Sequence, residues 1–206
     1  MKMDPIEEAL RIKMVRNGFT RRTKDLYTQE IAPSALAWTG FGRGFDKETG
    51  TLWINATVGL LNVEVETLVA AAQGEPFDGY SPPTSAQQIG LLMPEPDYRR
   101  WDFNNHVESQ IDEISNVIDR WGLPFSRSIV PLPRLLDALL NPRIGISFMK
   151  RPRVAALYLL LGDRKAAEKY VASNLSGGVG NLTGAEFLKR LLTLANQRAP
   201  QPPDPD

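Results

Sequence analysis

The spacing of apolar residues changes along this chain, and the change limits what it can fold into. After a leading helix, apolar residues recur at every second position. Leu52, Ile54, Ala56, Val58 and Leu60 alternate with Thr51, Trp53, Asn55, Thr57 and Gly59. That period belongs to a strand with one buried face. From about residue 105 the period becomes three to four. Val107, Ile111, Ile114, Val117, Ile118 and Trp121 fall within an arc of roughly 120° on a helical wheel. Strands first and helices afterwards predict an α+β fold: an antiparallel sheet of about five strands with helices on one side, then a helical C-terminal portion.

The punctuation agrees. Asp4, Pro5 and Glu7 open a helix carrying Ile6, Leu10 and Met14 on one face, and Gly18 closes it. Residues 19–22, 26–31, 35–45 and 51–61 read as strands, the last two joined by the turn 46–50. Gly40, Gly42 and Gly44 suggest a bend or bulge near the end of that hairpin. A helix over 62–73 and a proline-rich loop over 74–85 precede a fifth strand over 87–93. Helices follow over 105–121, 132–140, 153–161 and 164–175. Thr183 and Glu186 form a capping box that opens the last helix. The expected organisation is an α+β part, 1–103, with a helical part, 104–197, packed on it as one domain. A disordered proline-rich tail, 198–206, ends the chain.

With 42% apolar residues in 206, the chain can bury about 70% of its unfolded surface and needs no disulfide or metal to fold. The longest apolar run, Leu157–Leu161, is far short of the roughly 20 residues a membrane helix requires. The acidic start does not resemble a secretion signal. A cytoplasmic protein without a membrane association is expected.

Composition narrows the chemistry. There is one histidine, His106, and no cysteine. Multi-histidine zinc sites, cysteine–histidine dyads and iron–sulfur centres are excluded, and no metal or cofactor is expected. If the chain is a hydrolase, His106 with Asp102, or carboxylates alone, would carry the reaction. No Gly-x-Ser-x-Gly elbow is present, and the glycine-rich stretch 174–180 lacks the Gly-Lys-Ser/Thr ending of a phosphate loop. His106 lies at the edge of an apolar helical stripe, a place for a structural histidine.

Charge is more informative. Net charge is zero, but residues 1–61 carry +2, residues 62–126 carry −8 and residues 127–206 carry +6. Glu95, Asp97 and Asp102 precede the helix over 105–121, and Glu108, Asp112, Glu113 and Asp119 lie opposite its apolar stripe. Such a surface would hold a protein partner with a basic face. Arg143, Lys150, Arg151 and Arg153 are the candidates for contact with nucleic acid. They lack interleaved aromatics apart from Phe148, and the balanced total charge argues against a strong phosphate footprint. Self-association is left open.

Several segments together resemble a known pattern: Asn17-Gly18-Phe19-Thr20-Arg21-Arg22 after the leading helix, the strand from Leu52 to Gly59, Trp101-Asp102-Phe103 before a long helix, and Leu159 to Asp163 with Ala166 and Ala167. The chain resembles bacterial α+β domains of unknown function that open with a GF-x-R hairpin and an N-x-x-x-G strand. Some of these are proposed as toxin-immunity proteins. The resemblance brings no catalytic residues and implies binding rather than catalysis. A non-enzymatic protein that neutralises a cognate toxin through its acidic surface is therefore the leading expectation. A hydrolase and a nucleic-acid accessory protein are the alternatives.

Overall fold

The computed structural model describes residues 5–79, 82–103, 107–144 and 147–198. His106 and the proline-rich tail lie outside the described residues. The fold is α+β, with an antiparallel sheet in the first part of the chain and helices dominating the C-terminal part. The chain forms two compact units, each assembled from two stretches: residues 1–62 with 82–131, and 63–81 with 132–206. This division differs from a boundary at 103/104, because the chain leaves the sheet-bearing unit at residue 63 and returns to it at residue 82. Each unit is close to neutral, with 13 Lys and Arg against 14 Asp and Glu in the first and 11 against 10 in the second. The −8 of the middle segment is thus divided equally, −4 to each unit, and offset largely within each.

In the first unit, α1 (Pro5–Arg16) leads into β1 (Thr20–Thr23), β2 (Leu26–Ala32), β3 (Ala35–Asp46) and β4 (Thr51–Asn62). These pair in sequence order, and β5 (Ser85–Gln88) adds beyond β4. A further short strand, β6 (Trp101–Phe103), pairs with the opening residues of β4, setting Trp101 opposite Ile54. Three residues are too few to show a period, so β6 is not legible from alternation. The expected fifth strand over 87–93 is divided: Ser85–Gln88 pair with β4, and Ile89–Leu92 turn into a short 3₁₀ helix.

One face of the sheet is apolar and carries the core. Tyr27, Phe41, Ile54, Ala56 and Val58 pack against Leu10 and Met14 of α1 and against Ile111, Ile114 and Val117 of α3 (Val107–Val117). The GF-x-R segment is structural. Gly18 takes φ +83° to end α1, Phe19 enters the core, and the Arg21 guanidinium pairs with the buried Glu7 carboxylate at 2.5 Å. The opposite face is shaped by glycines. A side chain at Gly44 would run into the Trp53 indole, and one at Gly59 would lie 2.1 Å from the Ser85 carbonyl oxygen. The glycine of N-x-x-x-G is therefore required by the close approach of β5.

In the second unit, α2 (Val63–Gln73), α5 (Leu132–Leu140), α6 (Ser147–Leu160), α7 (Arg164–Asn174) and α8 (Gly184–Arg198) bury their own apolar residues, among them Leu68, Leu135, Leu157, Val171 and Phe187. Asp163 caps α7 by accepting the Ala166 N–H at 2.9 Å. The capping box at α8 is formed as expected, with Thr183 N–H donating to Glu186 at 2.8 Å. The glycine-rich stretch between α7 and α8 is a turn, with Gly178 and Gly180 at positive φ. Among the described residues, no helix is long and apolar enough to cross a membrane.

Candidate functional site

The acidic helix and the loop before β6 together build a groove on the first unit. α3 turns Ile111, Ile114 and Val117 into the core and leaves Glu108, Asp112 and Asn116 exposed, with Glu113 half-buried. Amphipathic spacing dictates this division. The helix then widens into a π turn over Ile118–Gly122 before α4 (Leu123–Ser128). Gly122 sits close over Val58, where a β-carbon would lie 2.9 Å from the nearest methyl. The wider turn shifts the facing of the residues that follow. Trp121, which a regular helix would add to the apolar stripe, is only half-buried and lines the groove, with the Arg120 guanidinium 5.2 Å from its ring centroid. Single π turns of this kind recur at functional sites.

The other wall is the loop 93–100, fixed at several points. Gln88 accepts the Gly90 N–H at 2.7 Å and donates to the Arg99 carbonyl at 2.8 Å. Asp97 N–H returns to the Gly90 carbonyl at 3.3 Å, and Asn55 donates to the Tyr98 hydroxyl at 2.6 Å. Arg99 then bridges the two walls: its guanidinium pairs with Glu113 on α3 and lies 5.7 Å from the Trp101 ring centroid.

Two depressions result. One, of about 430 Å³, is lined by Asp112, Glu113, Asn116, Trp121 and their neighbours. The other, of about 650 Å³, is lined by Glu95, Asp97, Tyr98, Arg99 and the adjoining prolines. Met93 lines both, so they adjoin one another. Four of the seven acids read from the sequence as partner-binding, Glu95, Asp97, Asp112 and Glu113, thus border one continuous region.

Some of these acids already have partners. Lys13 of α1 pairs with Asp112 at 2.7 Å, and Arg99 pairs with Glu113. Asp97 accepts the Tyr98 N–H at 2.7 Å. Glu95 and Glu108 are exposed and hold no ion pair among the described residues. Asp102, Glu108 and Asp119 line neither depression. Asp102 pairs with Arg100 at 3.2 Å. Asp119 accepts the Asn17 side-chain amide at 2.6 Å, and burial raises its carboxyl above the ordinary value against the pull of Lys13.

The basic set is not presented as one surface. Lys150 and Arg153 are buried, whereas Arg143 and Arg151 are exposed. On α6, positions 150, 153, 154 and 157 share one helical face, and Val154 and Leu157 take the two cations inward with them. Lys150 donates to the Asn141 carbonyl at 2.8 Å, and burial lowers its pKa. Arg153 makes a two-pronged contact with Glu66 at 2.7 and 2.9 Å. Of the four cations expected on one surface, two are buried and two are exposed. For the hydrolase alternative, His106 lies outside the described residues and Asp102 is engaged by Arg100.

Sequence reasoning found the acids and missed Met93, Tyr98, Arg99 and Trp121. Proline spacing marks the loop 93–100 as irregular but does not say where it folds back. Nothing in the local pattern announces the π turn. Comparison with family models, with curated proteins and with solved structures gives no match.

Proposed function

We propose that this chain is a non-enzymatic binding protein, and that the groove between α3 and the loop 93–100 receives a basic segment of a protein partner. The carrying observation is the convergence of four carboxylates with Met93, Tyr98 and Trp121 on one recessed surface. Carboxylates attract and orient an arginine- or lysine-bearing segment, while the aromatic and thioether groups supply the apolar contact that holds it. The walls are pinned by hydrogen bonds within the unit, so little ordering cost attends binding. Neutralisation of a basic toxin in the bacterial cytoplasm is the finer form of this reading. Its support is the same groove together with the resemblance noted in the sequence.

Glu95 in the groove and Glu108, one helical turn before Asp112 on α3, are suited to the test because charge reversal there breaks no ion pair among the described residues. Calorimetric titration with the basic product of a neighbouring gene should give an affinity that falls with salt. It should also fall at least tenfold in the Glu95→Lys/Glu108→Lys double variant, with unchanged thermal stability. Equal affinity for wild type and variant would remove this groove from the account.

A further inference from the structure

Strand β3 outruns its neighbour. β2 pairs with it only as far as Leu26 opposite Gly40, and one more bond, Phe41 N–H to the Asp25 carbonyl at 2.8 Å, follows. On the other side β4 continues to pair through Asp46 opposite Thr51. In an antiparallel strand the backbone groups of successive residues point to opposite sides. Phe41 therefore fixes the direction for Arg43 and Phe45, whose N–H and C=O groups point away from β4, along an edge that no other strand of the described residues covers.

On this side of the sheet the outermost strand, β1, is guarded and the overhang of β3 is not. β1 has four residues, a shifted register between Arg21 and Thr23, and two arginines. Short length, irregular register and charge all discourage an added strand. The edge over 42–46 has no lysine, proline or register shift. Its two charges are engaged within the chain: Arg43 pairs with Asp25, and Asp46 accepts the N–H of Glu48 at 2.9 Å. Beside them Phe45 is 61% exposed.

We propose that a second copy of this chain pairs along this edge, residues 42–46 running antiparallel to themselves about a two-fold axis at Gly44. This register sets Arg43 opposite Phe45 of the second copy, and Phe45 opposite its Arg43. The residues with outward backbone groups then meet as two hydrogen-bonded pairs, four bonds in all. Gly44 falls on the axis, at the close non-hydrogen-bonded position, with no side chain to crowd it. The neighbouring symmetric registers are worse. Centring on Arg43 sets like charges opposite each other and calls on Phe41, whose N–H is taken by Asp25. Centring on Phe45 sets Arg43 against Lys47. A one-residue slip opposes outward groups with groups already bonded to β4. In the chosen register each Phe45 ring lies beside an arginine of the other copy, a favourable cation–aromatic neighbour. The contact is much smaller than a stable interface, so the dimer is weak and forms at high concentration.

Sedimentation equilibrium of the full chain from about 10 μM to about 1 mM, a range that spans weak affinities, should show its mean mass rise toward that of a dimer. Phe45→Pro removes an N–H that β4 does not use, so the internal ladder survives while the edge loses a donor. It should remain monomeric throughout. Phe45→Lys keeps the N–H and sets a cation against Arg43 of the second copy. At this exposed position it preserves the fold and should likewise abolish the rise in mass. A wild-type mass that stays monomeric across the range, or a Phe45→Lys variant that associates as wild type does, would overturn the proposal.

Discussion

Two glutamate–arginine pairs look alike on paper and differ in what they do. Glu66 and Arg153, on α2 and α6, have side chains only 6% and 8% exposed and meet in a two-pronged contact. Glu113 and Arg99, on α3 and the loop before β6, are 42% and 46% exposed. The first pair is shielded from water, so each charge depends on the other. The second is solvated, so each charge is replaceable, and under the proposed function a partner's arginine would take the place of Arg99 at small cost. Burial separates a pair that serves the fold from one that can serve recognition.

The largest expected effect lies in the buried pair. Arg153→Ala strands the Glu66 carboxylate in the interior, and destabilisation by about 3–5 kcal/mol is expected in urea unfolding. Replacing both partners, as Glu66→Leu with Arg153→Met, should recover most of that loss, because the stranded charge rather than the lost bond carries the penalty. If Arg153→Ala alone costs less than about 1 kcal/mol, the value typical of surface pairs, the contrast between the two pairs fails.

Arg99→Ala probes the other side of the comparison. Its stability should change by no more than about 1 kcal/mol. Its affinity for a basic partner should rise, since Glu113 is released into the groove. Lowered affinity would mean that Arg99 itself contacts the partner, and that the groove selects something other than positive charge.

How far these distinctions could be read beforehand follows from their length scale. Periodicity over a dozen residues was enough for β3, β4 and α3, the Gly18 stop marked the end of α1 and a capping box the start of α8, because each signal is local. The four acids of the groove were legible as an amphipathic helix face and an acidic approach to it. The inward turn of Lys150 and Arg153 was also present, in their i, i+4 and i, i+7 spacing to Val154 and Leu157. Reading the four cations as a cluster along the chain hid that face. The remainder was not local. Glu66 lies 87 residues from Arg153, and β6 is defined only by its pairing with β4.

Between the two extremes stand acids that are partly shielded, and pH separates them. Burial pushes the Glu7 carboxyl up, but hydrogen bonds from Arg21 and Lys24 more than offset it, and Glu7 titrates below its ordinary value. Its folded form therefore holds the proton less tightly than the unfolded chain. The stabilisation is complete above the ordinary carboxylate range and is lost as pH falls through the lowered value. In Glu7→Gln the acid limb of the stability–pH curve should flatten, which thermal melts across that limb would measure.

Asp119 has the opposite sign and the smallest expected effect. Burial raises its carboxyl, and Lys13 only partly opposes the shift. The folded chain thus holds this proton more tightly than the unfolded chain does. A small loss of stability develops as pH rises from the ordinary aspartate range through the raised value, then stays constant above it. Asp119→Asn removes the charge but keeps an oxygen that can accept from Asn17. The variant should melt at or slightly above the wild-type temperature near neutral pH, and the difference should vanish at acid pH where Asp119 is protonated. A variant that melts lower at neutral pH would mean that the Asn17 contact needs the full carboxylate charge.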